Sequence, residues 1–427
     1  MNDKYASITE GLEENLKGNK EAGTFSITTD LRNVYYNFTT EERIKLGTGK
    51  NLPNGAEIFN DYINCKATGL FSHAENSSSA SGDYSHSEGQ FTWASALCSH
   101  AEGYSSTASG FGSHSEGMSC ASGRYAHAEG FGSEATNEAS HSEGRFAIAS
   151  GWASHAEGGG SSASADFSHA EGGSTTASGW GSHSEGKKTV GSGMYSHAEG
   201  ISSKAKGDAS HAENWNTSAE GTGSHAEGRD TFSKGAYSHA EGEGCATGID
   251  AKRAHAEGSW STATAVAAHA EGSVCGASGI ASHAEGKNSK ATGEAAHSEG
   301  YKTVASGDYS HAEGYSTKAS GIASHTGGDC TIAQYRAQTA IGQYNNNKQS
   351  TLFEVGNGTS DSNRSNAFEV HSDGRVSVGA DPKEDMDVVN LKTLMDIVGN
   401  ISEILITVTD GSAREVLTTV VDGEVEE

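Results

Sequence analysis

Ser99-His100-Ala101-Glu102-Gly103, SHAEG, is one copy of a motif that returns as SHSEG, AHAEG or SHAEN from Ser72 almost to the end of the chain. With histidine as the ruler, nineteen copies run from His73 to His325; of the eighteen intervals fifteen are 14 residues, two are 13 and one is 16. Glutamate follows two residues later in eighteen copies, and glycine closes all but two of those, where Asn76 and Asn214 stand instead. Glycine and asparagine are the residues that tolerate positive φ, so each motif is expected to end in a turn. A weaker signal, Ala-x-Gly, recurs upstream of the next histidine, as in Ala108-Ser109-Gly110 before His114 and Ala177-Ser178-Gly179 before His183.

Fourteen residues broken by two turn signals cannot hold a helical hairpin, whereas two short strands and two turns fit. Stacked coils of this kind make a parallel β-solenoid in which identical residues form ladders, with rungs roughly 4.8 Å apart. The 16-residue interval contains the expanded segment GEGCATGIDAKRAH between Gly242 and His255, and the repeat keeps its phase on both sides. An insertion at a turn does that.

Composition agrees. Hydrophobic residues make up 33% of the 427, aromatics 7%, and 57 residues are glycine, so no large core of bulky side chains is available to offset the entropy of ordering. Backbone pairing, small-residue packing or self-association must do so. Twenty-nine basic residues against 56 acidic ones, a net charge of -27, argue against nucleic acid as a partner. No apolar run reaches the length of a spanning helix, and MNDKYASITEGLEENLKGNKEAG lacks the basic and apolar regions of a secretion signal. Cys65, Cys98, Cys120, Cys245, Cys275 and Cys330 form no CxxC pair and take differing places in the repeat; they are expected to be reduced, small apolar fillers.

Serine, histidine and glutamate within four residues suggest a hydrolase, but strand geometry opposes it. Successive side chains point to opposite faces, so Ser99 and Ala101 face one way and His100 and Glu102 the other. The expectation is therefore no catalytic residue and a structural ladder, represented by His100, Glu102, His155, Glu157, His197, Glu199, His239, Glu241, His283 and Glu285. No cofactor and no metal are expected, although His and Glu at i and i+2 form a two-ligand edge. Stacked glutamates repel unless countercharge is adjacent, and the histidines are expected to supply it, with pKa values raised by the carboxylates. Trp93, Trp152, Trp180, Trp215 and Trp260 fall at turn positions and are expected to pack singly.

The 14-residue unit with SHAEG and Ala-x-Gly resembles the heads of trimeric autotransporter adhesins, the YadA-like heads, whose repeat is built around an SVAIG-type motif. The resemblance covers roughly residues 65–328 and implies a left-handed parallel β-roll and a homotrimer. SHAEG-rich solenoids also resemble phage and prophage tail proteins of Gram-positive bacteria. Ala337 to Asn345 (AQTAIGQYN) and Leu352 to Gly379 are similar to the stretch that follows such repeats in proteins with a cleavable C-terminal chaperone, the peptidase G2 group.

The fold class expected is all-β: a homotrimeric left-handed β-roll with small β modules at both ends and a short C-terminal coiled coil. Residues 1–64 read as an attachment or capping region, with Phe25 and Ile27, VYYNF and RIKL as strands. Residues 65–328 form the shaft and 329–381 a C-terminal β module, with Ser372-Asp373-Gly374 as a hairpin turn and Gly327, in place of glutamate, marking the last coil. Residues 382–406 carry Val388, Leu391, Met395, Val398 and Leu405 at a/d spacing, a short trimeric coiled coil, and 407–427 an acidic tip. The function implied is a structural, non-catalytic virion fibre, a phage tail fibre or receptor-binding protein assembled in the host cytoplasm. It would join other virion proteins through its N-terminus and a host cell-surface receptor, a glycan among the candidates, through its C-terminus. A head fibre or capsid decoration, a bacterial adhesin head and a self-cleaving tailspike are the alternatives.

Overall fold

The computed structural model describes residues 65–381 and 383 in full and, in the flanking segments, the backbone of short strands alone. Two compact units divide the chain, Met1–Glu241 and Gly242–Glu427. Both contain a parallel β-solenoid, and no helix occurs among the described residues.

In the first unit each coil contributes one strand starting at its histidine and one ending at the alanine of Ala-x-Gly, such as His100–Ala101 and Thr107–Ala108. Pairing is parallel and in register: His86 lies opposite His100, and Ala94 opposite Ala108. One coil shows the bonding that results. The His155, Ser162 and Ser164 N–H groups donate to the Ser168, Thr175 and Ala177 carbonyls of the next coil, each at 2.9 Å, at about 0.5–1.5 kcal/mol net per bond.

The core is built of small residues. Ala101, Ala108, Ala156 and Ala163 are completely buried, as are Thr92, Ser106 and Thr175 in the position before the second strand. Cys65, Cys245 and Cys275 occupy that same position and are buried. This corrects the expectation that the cysteines take unrelated places: half of them substitute for a core serine or threonine. Cys98, Cys120, Cys275 and Cys330 are free thiols.

The two turns explain the glycines. Gly103 has φ 99°, and Asn76 and Asn214 stand at φ 58° and 75°. Gly110 has no positive φ but is forced by proximity, since a Cβ there would lie 1.8 Å from the Gly123 carbonyl oxygen of the next coil. Further left-handed residues carry side chains: Tyr125 and Phe167 at φ 56° and 58°, each costing roughly 1–2 kcal/mol. Their N–H groups donate to Phe111 and Trp152 carbonyls at 2.8 Å, so the ladder holds the strained conformation.

Changes of interval are absorbed at turns. In the 13-residue coils Ser79 pairs with Trp93 and Cys120 with Glu134, so both omit a residue between glutamate and the second strand. In the second unit, Ala246–Thr247 pairs in register with Thr262–Ala263 and His255 with His269; the insertion lies between Thr247 and His255.

Gly327 does not end the stack. His325 pairs in parallel with Thr339, and Thr339 with Phe353, before the chain turns antiparallel with Val355 opposite Phe368 and Val370 opposite Val376. Shape, not the histidine, defines a coil. Gly374 at φ 88° sits in the turn between the last two strands, where the His371 N–H donates to the Arg375 carbonyl at 2.8 Å. Near the N-terminus Phe25–Thr28, Asn33–Asn37 and Arg43–Thr48 pair antiparallel, and Glu57–Phe59 pairs in parallel with His73–Glu75. Val388, Leu391, Met395, Val398 and Leu405 lie outside the described residues.

Candidate functional site

The strand alternation places serine and alanine inside and histidine and glutamate outside. Ser99 is buried and its hydroxyl donates to the Ala96 carbonyl at 2.8 Å, while His100 and Glu102 are half-buried on the opposite face. Ser113 and Ser154 repeat the bond on Gly110 and Gly151, each at 2.8 Å. The serine is a turn clamp and cannot serve the histidine beside it.

The histidines form two imidazole stacks, one in each unit. From His86 to His239 and from His255 to His325, successive rings are 4.6–4.9 Å apart with interplanar angles of 0–13°. Only His73 meets its neighbour edge-on among the described residues, at 88°. Each imidazole is thus sandwiched by imidazoles, and carboxylates come second. His155 Nε2 lies 3.9 Å from Glu157, His197 3.9 Å from Glu199 and His283 3.8 Å from Glu285. Glu102 instead reaches the following rung, 3.2 Å from His114 Nε2. His239 stacks on His225, and Glu241 hydrogen-bonds with Glu227.

This arrangement reverses the expected protonation. Burial, reinforced by neighbouring imidazoles, pushes His100, His155, His211, His225, His283 and His311 below the ordinary histidine value. The carboxylates relieve their own repulsion by sharing protons. Hydrogen bonds with the glutamates above and below push Glu129, Glu213 and Glu285 up to about 7, while Glu116, Glu143, Glu199, Glu227 and Glu299 are held below the usual range, chiefly by hydrogen bonds from those protonated neighbours. The repeat period alone contained the signal for ring stacking: identical residues at a fixed interval must lie one rung apart.

The tryptophans are not all isolated. Trp152, Phe167, Trp180 and Tyr195 follow one another in edge-to-face contacts of 4.6, 5.4 and 4.8 Å, and all four are exposed. The backbone N–H of Trp152 donates to Asp166 Oδ1 at 2.9 Å, which fixes the turn.

Sequence reasoning also missed two polar clusters beyond the histidine repeat. Glu354 is fully buried and accepts from the Lys348 N–H at 2.9 Å and Gln338 Nε2 at 3.2 Å, with Asn345 and Thr351 completing its shell. Glu369 is nearly buried. Burial alone would raise its pKa, but the Lys348 ammonium at 2.5 Å and the Asn366 amide hold it below the usual range. His371 Nε2 lies 3.0 Å from Ser377 Oγ and 3.3 Å from Glu369. Serine and carboxylate share one ring nitrogen there, unlike a triad, which uses both. No protein-family model matches the chain, and no curated protein matches it.

Proposed function

We propose that the protein is a non-catalytic homotrimeric virion fibre, a phage tail fibre or receptor-binding protein, with a left-handed roll as its shaft. The observation that carries this reading is the uniformity of the outer His/Glu face. A catalytic site needs one converging, water-excluding pocket, whereas a face repeated on rung after rung suits contact with a parallel copy of itself. The small-residue core supports the same reading, because such a coil buries little apolar area alone. The N-terminal region joins the virion, and the segment with a/d spacing from Val388 to Leu405 sets the register of the three chains. A head fibre or capsid decoration would use the same shaft; an adhesin head and a self-cleaving tailspike are less well supported, since no paired triad geometry accompanies His371.

Sedimentation of the full chain tests assembly: a trimer is expected, and a monomer at micromolar concentration would refute it. Imaging of intact particles with labelled N-termini tests the attachment, with label on the tail expected and label on the capsid favouring the head fibre. The exposed aromatic run favours sugar contact on the shaft as well as at the C-terminal end, since aromatic faces serve as platforms for sugar rings. If so, Trp152→Ala with Trp180→Ala should reduce adsorption to host cells several-fold without changing assembly.

A further inference from the structure

We propose that the outer ladder binds divalent transition-metal ions of the zinc type, each ion held by one imidazole Nε2 and one flanking carboxylate oxygen. The run from His283 to His311 makes the case. His283 Nε2 lies 3.8 Å from Glu285, which lies 4.0 Å from His297; His297 lies 4.0 Å from Glu299, which lies 3.7 Å from His311. Every carboxylate here spans two imidazoles. Zinc takes histidine nitrogen and carboxylate oxygen at about 2.0–2.2 Å, so two donors up to ~4 Å apart can share one ion with little movement.

Three further observations point to a ligand. Nε2 of His283, His297 and His311 is shut off from solvent and has no hydrogen-bond partner, an expensive state for a buried polar atom. His-Glu-His groups with donor atoms within 4.8 Å of one another recur along the ladder, fourteen times among the described residues. A groove lined by Glu271, Glu285, Glu299 and Glu313 with Gly286, Gly300, Gly314 and Gly328 runs beside the carboxylates, leaving room for water to complete a coordination shell. Stacked rings send their lone pairs out in parallel, so two imidazoles do not converge on one ion and the carboxylate must be the second ligand. Imidazole selects zinc, copper or nickel; carboxylates alone would favour calcium or magnesium. Because burial keeps His283 and His311 neutral, protons compete weakly for Nε2 at neutral pH.

The test uses untagged full-length protein, stripped with chelator and titrated calorimetrically with zinc chloride or calcium chloride. Several zinc ions per chain should bind at micromolar concentration, calcium should not compete, and binding should weaken as pH falls below about 6.5. The combined variant His283→Gln, His297→Gln and His311→Gln should lose about three ions per chain. Should that variant misfold, copper(II) added to the wild type must show nitrogen hyperfine splitting. Absence of zinc binding, equal affinity for calcium, unchanged stoichiometry in the folded variant, or an oxygen-only copper spectrum would each overturn the proposal.

Discussion

Glu285 illustrates how one residue type takes two roles in a ladder. Its carboxyl is pushed up to about 7 by hydrogen bonds to Glu299 and Glu271, while Glu299 is held low. An acid whose folded pKa exceeds its unfolded value stabilises the fold at low pH and loses that contribution as pH rises through the folded pKa. For Glu129, Glu213 and Glu285 the loss falls around pH 7. The histidines act oppositely: folded values below about 6.5 mean that stability declines as pH falls below the unfolded value. The melting temperature should therefore peak close to neutrality and decline on both sides. Replacing Glu129, Glu213 and Glu285 together by glutamine, which mimics the protonated carboxyl, should remove the alkaline decline and leave the acidic one. A melting curve from pH 5 to 9 decides this; an unaltered alkaline limb would refute proton sharing.

At the scale of one coil, close backbone approach dominates. Gly103→Ala places Cβ 2.7 Å from the Gly117 carbonyl oxygen at φ 99°, whereas Gly110→Ala places it 1.8 Å from the Gly123 carbonyl oxygen. Backbone atoms of the paired coil cannot rotate away, so Gly110→Ala should destabilise more, on the order of 3 kcal/mol or above. Gly103→Asn should be the mildest, as the chain already uses Asn76 and Asn214 at positive φ. Ala156→Val, at a site with no solvent exposure, should cost about 1–3 kcal/mol by overpacking. Denaturant melts of the four variants check the ranking.

On the scale of the whole molecule, assembly and shaft are separable tasks. If the segment from Val388 to Leu405 sets register, deleting the chain from Asp381 onward should lower the yield of trimer while leaving the melting temperature of trimers already formed nearly unchanged, because two to three heptads add little to a long backbone ladder. Quantitative cross-linking during refolding measures the yield. Equal yields from the full and shortened chains would assign that segment another task.

The period of His73 to His325, the glycines and the alternation of Ser99, His100, Ala101 and Glu102 were enough to determine a parallel solenoid of 14-residue coils, which face of each strand is buried, and where insertions fall. These follow from local rules: strand alternation, turn residues, and the requirement that a fixed interval brings like to like. What only the tertiary structure decided was the balance among neighbours across the rungs. Whether an imidazole feels a carboxylate or another imidazole depends on ångström differences in side-chain placement, and ring stacking at 4.6–4.9 Å with burial prevailed over ion pairing at 3.5–4.0 Å in most rungs. The continuation of the stack past Gly327, through Thr339 and Phe353, was hidden for the same reason. Backbone pairing needs a compatible shape and closely packed small residues inside, and it is indifferent to the side chains that had made the repeat legible.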